Sequence, residues 1–183
     1  MTMIADPQDI LKFWFEECDP GQHFNGGESF DREIWKRFKD TIEAAKRCEL
    51  WTWRQTVQGR LAEIIVLDQF SRNVYRGDPR AYSSDDMACV LAQELIQHED
   101  FNQLSNEEKH FALMPFMHSE SLTVHEKLAV PCFEKLNDPE IMDYERRHKE
   151  QIQQFGRYPF RNEALGREST SEEEDFMETE VNF

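Results

Sequence analysis

Apolar residues recur along this chain at intervals of three and four, and no stretch sustains the strict alternation of a half-buried strand. Helix punctuation accompanies that spacing. Asp6 caps a first predicted helix, with Pro7 at its opening position, Asp9 in the capping-box place, and Ile10, Leu11, Trp14 and Phe15 behind. Ser29 is expected to cap a second, with Ile34, Trp35, Phe38, Ile42 and Ala45 along its stripe. A third is expected from Trp53 to Phe70 through Val57, Leu61, Ile64, Ile65 and Leu67, and a fourth from Ser84 through Met87, Val90, Leu91, Leu95 and Ile96. Ser105 and Glu108 form a second capping box, opening a helix that Pro115 should kink or end. A helix from Ser121 to Leu136 is disturbed by Pro131. Asp138-Pro139 then restarts one along Ile141, Tyr144, His148, Ile152 and Phe155, which Gly156 stops. Ser169 with Glu172 is expected to open a short last helix. The pattern predicts an all-α chain of antiparallel helix pairs: one domain over 1–177, and an acidic, mobile tail over 178–183. No strict repeat of about 34 residues is visible.

Composition narrows the function classes. The 183 residues carry a net charge of -16 and a pI near 4.7, so a broad cationic face for nucleic acid or anionic membrane is not expected. Seven of the acids fall after Arg167, but the remainder is acidic as well. Only 39% of residues are hydrophobic, yet 14 phenylalanines and 4 tryptophans supply large buried areas, and all four tryptophans are expected in the core. Cys18, Cys48, Cys89 and Cys132 form no C-x-x-C pair, and Cys89 reads as a buried apolar residue. With neither a signal segment nor a run of about 18 apolar residues, the expectation is a soluble cytoplasmic protein.

Four polar strings interrupt this scaffold: Leu67 to Gly77, Pro115 to Glu120, Phe155 to Asn162, and Leu165 to Arg167. Asp68, Arg72 and Arg76 are spaced i, i+4, i+8 and would share a face if the helix continues, offering two guanidinium groups to carboxylate or phosphate. The same residues also read as an internal ion pair fastening a helix to a loop. Asn73 lies between them. Arg157, Arg161 and Asn162 stand on a turn stiffened by Pro159, a pattern for a rigid binding loop or for caps on nearby carbonyls; Arg167 can join either network. His118 is a candidate general base with Glu120 orienting it, or both cap a helix start. His148, on an apolar stripe, reads as a hydrogen-bonded core residue or as a proton carrier. No H-E-x-x-H or comparable spacing supports a metal site, no G-x-S-x-G surrounds Ser119, and no cofactor is expected. His118 and His125 can share a helix face, whereas His23, His98 and His110 read as surface or edge residues.

In order and content these strings, with Phe13-Trp14-Phe15, Trp53, His148 and Leu165 to Thr170, resemble the bacterial proteins grouped as domain of unknown function 924. The resemblance covers residues 8 to 177 and implies a tetratricopeptide-like α-α superhelix, without an established reaction. It also marks two departures: Phe160 stands where the family's loop has histidine, and Ser71 where it has proline. Two functions follow as expectations. One is an arginine-rich pocket for a small anionic molecule, with His118, His148 and Glu120 as catalytic candidates. The other is a non-catalytic module holding a peptide or protein. The oligomeric state stays open.

Overall fold

The structure, a computed structural model, describes residues 3–180. Among them every regular element is helical, so the fold is all-α. The chain divides into two compact units: residues up to Arg76 with Arg80–Pro115, and Gly77–Pro79 with the chain from Phe116 onward.

In the first unit, α1 (Pro7–Lys12) has the capping box of Asp6 and Asp9 and widens into a π-helical turn over Phe13–Glu17. A short α2 (Gln22–Asn25) leads to α3 (Gly27–Lys46), which buries Phe30, Ile34, Phe38 and Ile42. Ser29 lies inside α3 rather than capping it, because the helix begins two residues earlier. A 3-10 turn, Trp51–Gln55, precedes α4 (Val57–Ile65), whose cap is Thr56; the expected start at Trp53 is corrected accordingly. After α4 the helix widens into a second π turn, Val66–Phe70, before α5 (Ser71–Val74). Next come α6 (Asp85–Leu95) and α7 (Asn106–Met117). Ser105 and Glu108 exchange the two capping hydrogen bonds at 2.7 and 3.1 Å. Phe13, Trp14, Phe30, Phe38 and Phe70 pack ring against ring as the core of this unit.

Three tryptophans depart from expectation: Trp53 is only half-buried, and Trp35 and Trp51 are exposed. Trp35 is 41% exposed, being one residue and about 100° beyond the buried Ile34 on α3, and Trp51 is 64% exposed on its turn. Val90 is likewise exposed, since the buried side of α6 runs through Ala88, Ala92 and Leu95. His23 moves the other way: it is buried, stacked on Trp14 at 4.4 Å, with Nε2 2.7 Å from the Trp14 carbonyl. Cys89 is buried as expected.

In the second unit, Ser121 caps α8 (Leu122–Val124), a third π turn spans His125–Ala129, and α9 (Val130–Glu134) follows. Pro131, which has no N–H to offer the Lys127 carbonyl, falls just after the widened turn. Asp138 caps α10 (Pro139–Phe155), which ends at Gly156 with φ of 69°, a left-handed cap suited to glycine. The Pro159–Arg161 turn, α11 (Asn162–Leu165) and α12 (Ser171–Thr179) complete it. Thr170 with Glu173, one residue beyond the expected Ser169 and Glu172, makes the capping box of α12. That helix continues to Thr179, into the segment expected to be tail; residues 181–183 of that tail lie outside the described residues. Phe160, in the family's histidine place, packs on Phe176 with centroids 6.1 Å apart.

Candidate functional site

The polar strings form two sets of clusters, one in each unit. In the first unit the π turn carries Asp68 and Gln69 into the interior, where Asp68 is fully buried. Arg72, one turn on, donates to the Asp68 carboxylate at 3.1 Å and grips Asp85 bidentately at 2.7 and 2.8 Å. Burial works against its charge, but Asp68 and Asp85 outweigh it, so the guanidinium is held above its ordinary range. Gln69 donates to Asp68 at 2.7 Å, and Asn73 to the Gln69 carbonyl at 2.9 Å. Arg76 leaves this face: α5 ends at Val74, and Arg76 instead grips Asp31 of α3 with two bonds of 3.0 Å. The i, i+4, i+8 face therefore holds for Asp68 and Arg72 and stops before Arg76. Ser71 has a buried hydroxyl without a hydrogen-bond partner among the described residues.

In the second unit Arg157 grips Glu173 at 2.6 and 2.8 Å and donates to the Glu168 carbonyl. Glu173 also accepts from Asn162 and from the Thr170 N–H, and its carboxyl is held down at about 2, chiefly by Arg157. Arg167 grips Glu120 at 2.8 and 3.0 Å, and Glu120 further accepts the Tyr158 N–H at 2.8 Å. Burial pushes the Glu120 carboxyl up, yet Arg167, that N–H and the nearby Arg161 together leave it below its ordinary value. Arg161 donates to the His118 carbonyl at 2.9 Å and lies over the Tyr158 ring at 4.4 Å.

Two imidazoles, His125 and His148, meet Tyr158, and His118 lies near His148. His148 meets the Tyr158 ring edge-on at 5.6 Å, and the His118 and His148 centroids are 6.5 Å apart. His148 Nδ1 is 2.7 Å from the Tyr144 carbonyl, which can only accept, so Nδ1 bears hydrogen. Burial foremost, joined by repulsion from any proton on His118 or His125 and by the charge of Arg161, pushes His148 down to about 3 against that bond. At neutral pH its Nε2 is therefore the lone-pair nitrogen. His125 is fully buried, with Nδ1 2.7 Å from Glu145 Oε1 and Nε2 2.9 Å from the Ser119 carbonyl and 3.0 Å from the Tyr158 hydroxyl. Tyr158 in turn donates to the Met117 carbonyl at 2.6 Å.

Sequence reasoning missed Glu145 and Tyr158, and gave His125 no partner. A signal existed for Glu145: positions 141, 145, 148 and 152 keep helical spacing, with the glutamate on the stripe. Tyr144, placed on that stripe instead, is 40% exposed. The acidic partners of the arginines, Asp31, Asp85 and Glu173, carried no local signal.

The first unit also has an open groove of about 430 Å³, lined by Ile4, Ala5, Pro7, Thr52, Trp53 and Gln55 among others, and none of the expected site residues lines it. Among the described residues no group of three or more His, Cys, Asp or Glu is placed to hold a metal ion, and no helix is long and apolar enough to cross a membrane.

An all-helical protein in which Arg72, Arg76, Arg157 and Arg167 each grip a carboxylate, and His125 and His148 meet Tyr158, is the class these features define. The chain belongs to the family of bacterial proteins of unknown function DUF924, which it matches over residues 10–180. A solved structure, described as a protein of unknown function, ATU0120 from Agrobacterium tumefaciens, is similar throughout. The two are 31% identical with a TM-score of 0.88, over 95% of this chain and 97% of that one. No curated protein matches the chain.

Proposed function

We propose that the second unit binds a small carboxylate or phosphate anion at the cluster of His118, His148, Tyr158 and Arg161, and that His148 exchanges a proton with it. The observation that supports this reading is the fixed tautomer of His148, a neutral imidazole whose lone-pair Nε2 belongs to a cluster that also contains a guanidinium. A neutral imidazole beside a cation suits an acidic ligand: the cation orients the anion, and the anion's charge raises the proton affinity of the ring so that it can take the proton. In this reading Arg161 is the ligand-binding arginine. Arg72, Arg76, Arg157 and Arg167 are clamps, with Asp68, Asn73, Asn162 and Glu120 holding them.

Titration with inorganic phosphate and with acetate, followed by the histidine ring signals in NMR, tests it. One of the two anions should shift the His118 and His148 signals, and Arg161→Ala should weaken that binding by about tenfold or more, about 1.4 kcal/mol. Signals unmoved by both anions sink the reading. They would turn attention to a peptide-binding module, which would respond to neither.

A further inference from the structure

We propose that Glu145 and His125 are the positioning pair of this cluster: they share one proton, which resides on the Glu145 carboxyl, and through Tyr158 they hold Arg161 and His148 in place. Their service to a ligand rests on the anion-site reading above; the location of their proton does not.

Donors and acceptors fix most of the argument. The carbonyls of Met117 and Ser119 can only accept. The single Tyr158 hydroxyl proton goes to Met117, so the hydrogen facing Ser119 must belong to His125 Nε2. That same N–H faces the Tyr158 oxygen at 3.0 Å. One proton is then left between Nδ1 and Glu145 Oε1, 2.7 Å apart. It sits either on nitrogen, giving an imidazolium and a carboxylate, or on oxygen, giving two neutral groups.

The surroundings choose the neutral pair. Both side chains are fully buried, and Glu145 Oε2 has no hydrogen-bond partner among the described residues. A carboxylate oxygen left bare in a closed site costs far more than the carbonyl oxygen of a neutral acid. Burial pushes the Glu145 carboxyl up against the opposing pull of His125 and Lys149. Of the other groups around the pair, His148 is neutral, Lys149 is the cation acting on Glu145, and Arg161 lies over the Tyr158 ring. The pair joins four segments: the 117–119 link, the π turn of His125, α10, and the loop of Tyr158. The ring of Tyr158 is the surface on which Arg161 stacks and against which His148 rests.

The test is read first without ligand. Nitrogen-15 spectra should show His125 with a protonated Nε2 and a bare, hydrogen-bonded Nδ1. Infrared difference spectra should contain the carbonyl stretch of a buried carboxylic acid that Glu145→Gln removes. Glutamine mimics the protonated acid, its amide N–H donating to Nδ1, so Glu145→Gln should keep the melting temperature within about 3 °C of the parent. It should also leave the His148 and Arg161 signals in place. Glu145→Leu, with no donor, should move those signals. Raising the pH should disturb the His125 signals of the parent but not those of Glu145→Gln, a difference that a purely space-filling role would not produce.

Both ring nitrogens protonated at pH 7, with no carboxylic-acid band, overturns the proposal. So does a fall of about 8 °C or more in Glu145→Gln, the mark of a broken ion pair. If the assignments hold but phosphate and acetate fail to bind the parent, the anion-site reading fails and the protonation assignment stands.

Discussion

The Asp68–Arg72–Asp85 cluster and the Glu145–His125–Tyr158 cluster address the same difficulty in opposite ways. Each is a buried polar network seated on a π-helical turn, a feature often found at functional sites. The first uses a guanidinium gripped between two acids, which hold it charged. The second uses groups that titrate, closed by main-chain carbonyls. An arginine whose hydrogen bonds go to two carboxylates has the geometry of a clamp. An imidazole cluster around a tyrosine, with one ring held neutral, has the geometry of a site that can move protons.

The largest expected effect breaks the first cluster. Arg72→Ala leaves Asp68 buried without its counter-charge and should cost about 3–5 kcal/mol, read as a fall in the urea midpoint at constant slope. A cost near zero would mean that Asp68 is satisfied without Arg72, and the clamp reading would fail. Arg157→Ala, at a pair whose arginine is partly exposed, should lower the urea midpoint by less than Arg72→Ala and release the Thr170 cap of α12 from its Glu173 anchor.

Acid sharpens the contrast. The His148 value of about 3 in the fold lies below the ordinary imidazole value. Below pH of about 6.5 the unfolded chain takes up a proton that the native ring refuses, so stability should decline as pH falls from there toward 3. Glu173, held at about 2, should add a second loss starting below the ordinary carboxylate range. Urea midpoints between pH 7 and 4 should therefore fall in the parent and fall less in His148→Gln. Equal slopes would show that His148 titrates normally.

The smallest effect concerns Ser71 in the first cluster's helix. Its buried hydroxyl has no partner among the described residues, so Ser71→Ala should be neutral or stabilising by about 1 kcal/mol in the same urea assay. A loss of stability would reveal a partner for that hydroxyl.

Local chemistry made much of the fold legible from sequence. The boxes of Asp6 with Asp9 and Ser105 with Glu108, and the glycine stop at Gly156, each involve residues within one turn, so their signals are written side by side in the chain. The 3.6-residue period placed most of the core for the same reason, and it erred by one position at Trp35, Val90 and Tyr144, on the edges of their stripes. The residues of the strings were legible too, but not their roles.

What only the tertiary structure decided is which charge meets which. Arg72 reaches Asp85 across 13 positions, Arg157 reaches Glu173 across 16, Arg76 reaches Asp31 across 45 and Arg167 reaches Glu120 across 47. Glu145 looks like one more surface glutamate on a polar helix until His125, 20 positions away, is folded against it. Helix spacing and capping depend on neighbours in the chain, so the sequence by itself determines them. The partner, burial and protonation state of a charged side chain depend on neighbours in space, and they exist only once the helices have packed.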